Sequence, residues 1–313
     1  MVRYSPVVLF TYKRLDLLKR VLSSLEKNEE TLDTDLFIYA DLNDKEEDSE
    51  KVRLVREFIN KYSIDSHAFK TITVIPAKEH KGLANSVISG VSNVIKRFGK
   101  VIVLEDDLIV SRFFLKYMNQ CLDYYERDDR IWSVNGYSPY VRAKKKYDKA
   151  VYLDYRAVSW GWGTWKDRWE MVDWSIPDYS SFVWNIVAKR KFCRGGNDLT
   201  GMLRAQMRGK IDSWAIRWCY YESRYDKYSV APTESLVAND GFDEEATNCN
   251  NDSIKKFAIS EFANRSCEWR IDDLRVDKDI CRDLYRLYSV SIAIRIRDKY
   301  REIRKWFSGG NKK

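Results

Sequence analysis

The sequence predicts an α/β protein with a mostly parallel sheet covered by helices on both faces. Three observations carry that expectation. Apolar runs of strand length alternate four times with amphipathic helical stretches over the first 122 residues, the rhythm of right-handed βαβ units. One of them, residues 101–104 (VIVL), has no alternation of polar with apolar residues, as expected of a strand buried on both faces. Two of them run straight into carboxylates, at the sheet edge where open α/β folds hold ligands.

Residues 6–11 (PVVLFT) read as the first strand, followed by a helix from about Asp16 with Leu17, Leu18, Val21, Leu22 and Leu25 on one face. Residues 36–41 (LFIYAD) form a second strand ending in Asp41, and the next helix carries Val52, Val55, Ile59 and Tyr62 as its stripe. The third strand, residues 71–75 (TITVI), stops at Pro76; after the loop AKEHKG a helix aligns Leu83, Val87, Val91, Val94, Ile95 and Phe98. Residues 101–108 (VIVLEDDL) are the fourth strand, four apolar residues leading into Glu105, Asp106 and Asp107, with a helix around Phe114, Tyr117, Met118 and Cys121 beyond them. Three adjacent carboxylates repel one another and must surface or find a cation, and a divalent ion among them could in turn hold phosphates.

After residue 130 the alternation fails. Residues 131–137 (IWSVNGY) and 150–155 (AVYLDY) read as strands, and the densest aromatic stretch, SWGWGTWKDRWEMVDW, follows. Gly161 and Gly163 predict a turn, and Thr164 is placed to cap a short helix with Trp165, Arg168, Trp169 and Val172 on one side. Trp165 and Trp169 read as core. Trp160 and Trp162, in the turn, are candidates for a substrate-pocket wall. Asp212 directly precedes a helix with Trp214, Trp218 and Tyr221 on one side, which suits both an N-cap and a carboxylate facing a pocket. Residues 239–249 (NDGFDEEATNC) read as a polar loop closing over a ligand.

The chain divides at about residue 270 into a main domain, with halves 1–130 and 131–270, and a basic tail, 271–313. In the tail Leu284, Tyr288, Ile292, Ile296, Tyr300, Ile303 and Phe307 keep helical spacing. Residues 282–313 hold ten Lys or Arg against three acids, a surplus of seven within a net charge of +8. A basic amphipathic helix either lies on an anionic membrane surface or docks on its own domain. The rest of the chain is near neutral, which argues against a nucleic-acid partner. No run approaches a membrane span and the start lacks a signal-peptide pattern, so the expected location is cytoplasmic, peripheral on the inner face of the cell membrane if the tail binds lipid. Six scattered cysteines without a CxxC pair fit reduced thiols. Two histidines cannot build a His-rich zinc site. Neither GxGxxG nor GxxxxGK[ST] occurs, which disfavours dinucleotide enzymes and P-loop NTPases.

Taken in order, Arg14 after the first strand, Asp41 after the second, the EDD triplet before FFLKYM, GLANSV (residues 82–87), SWGWGTWKDRW, DSWAIRW (residues 212–218) and NDGFDEEATNC form a set. Over roughly residues 5–250 the chain thereby resembles nucleotide-sugar glycosyltransferases of the GT-A, Rossmann-like fold, and is most similar to bacterial polysaccharide enzymes related to N-acetylglucosaminyltransferase I. One departure is Asn248, where the resemblance leads us to expect histidine. The resemblance implies a UDP-sugar donor, Mn²⁺ or Mg²⁺ held directly by Asp107, Glu105 in the outer shell, and Asp106 toward the ribose or sugar. Arg14 would face the diphosphate, Asp41 the uracil or ribose, and Lys81 and Gly82 would line the same side. Asp212 would be the base of an inverting transfer of GlcNAc or another hexose onto a glycan acceptor, lipid-linked if the tail binds membrane. Asp154 and Asp240 stand next in line for that role. Two rival classes are a non-catalytic glycan- or nucleotide-binding module and a membrane-surface scaffold.

Overall fold

The computed structural model describes residues 4–241, 262–263 and 265–290. Its centre is an eight-stranded sheet. Val7–Thr11 (β1), Asp35–Ala40 (β2), Thr71–Pro76 (β3) and Lys100–Glu105 (β4) are the four apolar runs of the first half, and they pair in parallel in the order β3-β2-β1-β4. Because β4 crosses to the far side of β1, the strand order reverses between these two, and a crevice opens there at their carboxyl ends.

The unalternating runs are explained by two covered faces. Val7 and Leu9 pack with Leu18 and Val21 of Leu15–Leu25 (α1) and with Val55 and Ile59 of Ser49–Asp65 (α2). Val8 and Phe10 face the other way, onto Val87 and Val91 of Gly82–Phe98 (α3). Phe114–Tyr124 (α4) returns to the first face through Leu115, Met118 and Leu122.

The second half continues the sheet with Ile131–Asn135 (β6), Val151–Asp154 (β7), Trp162–Trp165 (β8) and Tyr228–Pro232 (β9), in the order β4-β8-β6-β9-β7. β8 lies antiparallel to both β4 and β6, β6 parallel to β9, and β7 antiparallel to β9. The sheet is therefore mixed and mostly parallel, as predicted. Leu108–Val110 (β5) leaves it to form a two-stranded antiparallel pair with Val237–Asn239 (β10), bringing Asn239 opposite Leu108.

The aromatic stretch folds differently from its predicted turn and capped helix. Trp162–Trp165 is a strand in mid-sheet, and the Thr164 hydroxyl donates to the Trp132 carbonyl (2.8 Å) instead of capping. A short helix, Lys166–Glu170 (α5), follows. Trp162 is 1% exposed and stacks on Trp214 (4.7 Å between ring centroids) and Trp169 (5.7 Å). It belongs to the core, because a side chain on a strand flanked on both edges and covered by helices has no route to a pocket wall. Tyr179–Trp184 (α6), Ile186–Phe192 (α7) and Leu199–Met207 (α8) surround Trp214–Arg224 (α9), whose Trp214, Trp218 and Tyr221 are buried as their spacing predicts.

The expected basic tail is docked at its start. Lys278–Tyr288 (α10) is capped by Asp277, whose side chain accepts from the Asp279 and Ile280 amides (2.9 Å each), and it buries Ile280, Leu284 and Tyr288 against Val141, Tyr152 and Ala231. Trp269 and Leu274 likewise enter the main core. Leu284 and Tyr288, the first two members of the apolar stripe, are thus engaged by the domain and do not face a bilayer. Residues 291–313 lie outside the described residues, and no described helix is long and apolar enough to cross a membrane.

Candidate functional site

At the carboxyl ends of β4, β1 and β2 the chain gathers the residues singled out in the sequence. β1 and β4 are in register through Phe10 and Glu105, so the acidic turn emerges beside the end of β1. Asp106 turns onto that end: one carboxylate oxygen accepts from the Thr11 hydroxyl (2.9 Å) and the Tyr12 amide (3.0 Å). Burial, reinforced by Asp107 and opposed by these donors, pushes its pKa up to about 6. Asp106 therefore ties β4 to β1 through the oxygen that the resemblance would direct at the ribose or sugar.

Asp107 faces Arg14, whose Nη1 lies 3.4 Å from Oδ2, while Nη2 donates to the Gly241 carbonyl (3.2 Å). The backbone holds this corner from the other side, since the Asp240 amide donates to the Asp107 carbonyl (2.8 Å). Gly241 is fitted against the pair: a Cβ there would stand 2.3 Å from Asp107 Oδ2 and 2.7 Å from Arg14 Nη1, distances no side chain tolerates. Glu105 is the least compensated member. Burial, then Asp107 and Asp106, hold its carboxyl well above the usual range, with no hydrogen bond acting against them.

Asp41 organises the neighbouring corner. Its own amide donates to the Thr11 carbonyl (3.1 Å), and its carboxylate accepts from the amides of Leu42 (2.9 Å), Lys81 (3.0 Å) and Gly82 (2.9 Å). Gly82 reaches it from a φ of +71°, a left-handed conformation that glycine adopts without a Cβ penalty. His80 completes the corner, its Nδ1–H donating to the Leu42 carbonyl (2.7 Å) and lying 3.3 Å from Asp41 Oδ2. Asp41 and Lys81 also line a cleft of about 280 Å³ with Tyr39, Ile75, Ser86 and Asn93, between the ends of β2 and β3 and the side of α3. A larger cleft of about 410 Å³, lined by Tyr4, Glu30, Asn119 and Tyr124, begins from residues before β1 and is remote from these carboxylates.

Asp212 joins the same strip from the second half of the chain. Its Oδ2 lies 4.0 Å from where a Gly82 Cβ would be, and Oδ1 meets Arg217 Nη2 at 3.2 Å. The N-cap of α9 is Ser213, which accepts from the Ile216 amide (3.3 Å). Relieved of capping, the Asp212 side chain stays 56% exposed. Asp154 does not compete for this place, being buried in β7. Trp160 is half-buried, edge-on to Tyr137 (4.5 Å), and keeps the partial exposure that Trp162 lacks.

Contacts thus run from Asp107 and Arg14 through Asp106, Tyr12 and Thr11 to Asp41 and Gly82, and Asp212 lies beside Gly82 without a hydrogen bond to it. Reading the sequence alone missed His80 and Gly241. His80 left a signal in its position one residue before Lys81–Gly82; Gly241 left one only in the glycine of the expected closing loop, and Asn248 lies outside the described residues. Among the described residues no group of three or more His, Cys, Asp or Glu is arranged to hold a metal ion. What would suit a cation is charge: three adjacent half-buried carboxylates, of which Asp107 also meets Arg14. A metal there would take its remaining ligands from a bound anion.

No protein-family model matches the chain, and no curated protein does. Among solved structures, one of S. aureus TarS is similar at 13% identity and a TM-score of 0.34, over 47% of this chain and 24% of that one. A shorter S. aureus TarS chain, 1–349, gives 9% identity and a TM-score of 0.41, over 74% of this chain and 59% of that one. The match spans less than two thirds of either TarS chain, and the functional reading rests on the site itself.

Proposed function

We propose that the chain is a glycosyltransferase that moves a hexose from a UDP-sugar to a glycan hydroxyl with inversion. The observation that carries this reading is the acidic turn at the strand-order reversal, with Asp107 on Arg14 at one end of a strip along the sheet edge and the exposed Asp212, beside Gly82, toward the other. A nucleoside diphosphate is the ligand such a strip suits. Its base enters the cleft between β2 and α3, which approaches the lower end of the volumes of small-molecule pockets, about 300 Å³. Its phosphates lie toward Arg14 and Asp107. Mn²⁺ or Mg²⁺ held by Asp107, when bound, supplies positive charge for the departing diphosphate.

Arg14 orients the diphosphate and offsets part of its charge, while Gly241 keeps the space in front of both residues clear of a side chain. The acceptor hydroxyl attacks the anomeric carbon as the bond from that carbon to the diphosphate oxygen breaks, and the hydroxyl proton passes to Asp212. Glu105 supports Asp107 from behind. Trp160, half-buried, offers an apolar face to a sugar ring. A lipid-linked acceptor on the inner membrane surface is the class we assign, with residues 291–313 adding positive charge.

The test is a screen of UDP-sugars for Mn²⁺- or Mg²⁺-dependent release of UDP, repeated with Asp212→Asn. We expect donor binding to survive that substitution and transfer to fall about 10²–10⁴-fold, the range of a lost general base. Full transfer by Asp212→Asn would place the base elsewhere. No turnover of any UDP-sugar by the parent chain would leave a binding module.

A further inference from the structure

The corner between α6 and α7 exposes what folded proteins usually cover. Trp184 is 86% exposed, Val187 75% and Ile186 63%, within four consecutive positions. They do not hang from a loose segment. Phe182 beneath them is buried against Phe192 (5.7 Å) and Tyr220 (5.2 Å), and Asn185 caps α7 by accepting from the Ala188 amide (2.9 Å). The apolar tip is therefore a rigid projection.

Its nearest sequence neighbours are basic, while Asp178 at the start of α6 is engaged by Tyr220 and Arg224. From residue 179 to 197 the sequence contains Lys189, Arg190, Lys191 and Arg194 and no acid. Lys191 and Arg194 share Asp226 (3.2 and 2.6 Å). Lys189 donates to the Val183 carbonyl (2.6 Å), which sets its ammonium beside the tip, and Arg190 is exposed. The described chain ends beyond the far end of α7. Val290 is held to Asn197 by two hydrogen bonds (2.8 and 3.2 Å), and the residues that follow, 291–313, hold eight basic against two acidic side chains.

We propose that Trp184, Ile186 and Val187 form a wedge that inserts into an anionic lipid surface, with Lys189 and Arg190 at the level of the headgroups. A tryptophan flanked by aliphatic and basic residues suits the interfacial region of a bilayer. A protein partner suits it less. Stable protein interfaces engage about 20–30 residues a side, and three side chains on a convex corner cannot supply that. Phe182 packs on Tyr220, seven residues after Ser213, so the residue beneath the wedge meets α9 roughly 10 Å along the helix axis from the cap that follows the proposed base. The wedge does not depend on the transferase reading, since it concerns lipid alone.

The experiment is co-sedimentation of the full chain with vesicles containing phosphatidylglycerol or made of phosphatidylcholine only, alongside the triple variant Trp184→Ser/Ile186→Ser/Val187→Ser. The parent should partition onto the anionic vesicles, and the triple variant should lose about tenfold in partition coefficient, or 1.4 kcal/mol, with an unchanged melting temperature. Val187→Asp gives a second reading from one exposed position and should weaken binding in the same direction. Release of UDP in the absence of vesicles should not change in either variant, so loss of lipid binding is separable from loss of turnover. Equal partition of parent and variants would overturn the proposal. So would concentration-dependent dimerisation of the parent that the triple variant lacks, because that outcome assigns the wedge to a second copy.

Discussion

Two regions of this molecule bury carboxylates, and they treat them in opposite ways. Under α10, Arg156 meets Asp198 through two parallel bonds of 2.9 Å, donates to the Gly195 carbonyl (3.2 Å), and lies 4.2 Å from the ring centre of Tyr288. Glu222 accepts from the Ala157 amide (2.8 Å) and the Ser229 hydroxyl (2.6 Å). Lys144 donates to the Pro139 carbonyl (2.8 Å) and stands over Tyr152. Burial drives Glu222 up to about 8, Asp154 up to about 6 and Lys144 down to about 7. Carboxyls are raised here as they are at the acidic edge, and here the chain supplies the partners from within. At the acidic turn Asp107 meets Arg14 (3.4 Å) and Asp106 meets Thr11 and Tyr12, while Glu105 is raised by burial and by its two acidic neighbours. A perturbed pKa therefore does not distinguish a site from a structural network here. The distinction lies in arrangement: the network under α10 sets acids against cations, whereas the acidic turn places three carboxylates side by side next to Arg14.

The sharpest way to break that contrast is to remove the built-in cation. Arg156→Ala strands Asp198 and loosens Tyr288, and urea unfolding should show a loss of about 3–5 kcal/mol, with donor affinity per folded molecule unchanged. Asp107→Ala should do the reverse. Its melting temperature should hold or rise as like charges are relieved, while transfer falls about 10²–10³-fold and calorimetry shows no metal-dependent donor binding. If Asp107→Ala unfolds the protein, the acidic turn is structural after all.

Titration separates the two regions further. Glu222 has its folded pKa above its unfolded value of about 4.5, so the native state holds the extra proton and its contribution to stability is lost as pH rises toward about 8. Lys144, lowered to about 7 from 10.5, works oppositely and adds stability as pH climbs from 7 toward 10. Thermal melts of the parent should decline between pH 5 and 8, and Glu222→Gln should flatten that decline. The smallest effect belongs to Gly241→Ala. Its Cβ would displace Asp107 or Arg14, and donor affinity should weaken about tenfold, or 1.4 kcal/mol, with little change in stability; full affinity would show that the corner can open freely.

The first half of the fold was legible because β1, β2 and β4 are covered on both faces and announce themselves as apolar runs, with the edge strand β3 following their rhythm. Their acidic ends, Asp41 and the EDD triplet, pointed correctly to one edge of the sheet. The β5–β10 pair was not legible. It is three residues long on each side, and hydrogen bonding between distant segments leaves no periodic trace in either. Trp162 was misplaced for a related reason, since glycines on either side imitate a turn while the register with β4 and β6 makes a strand. Asp212 was expected both as cap and as pocket carboxylate, and only the three-dimensional arrangement hands the cap to Ser213. The stripe through Leu284 and Tyr288 looked the same whether it met lipid or Val141 and Tyr152, because amphipathicity specifies an apolar partner and not which one.

The bond from Arg14 to the Gly241 carbonyl joins residues 227 positions apart. Such a contact closes late in folding, after the local βαβ units that present Arg14 and Asp107 have formed. During synthesis the amino-terminal half can therefore assemble its sheet while the corner of Arg14 and Asp107 still lacks a wall. Refolding followed with a fluorescent nucleotide should show binding appearing in the slowest phase, so that competence to hold a donor is acquired only when nearly the whole chain has been made.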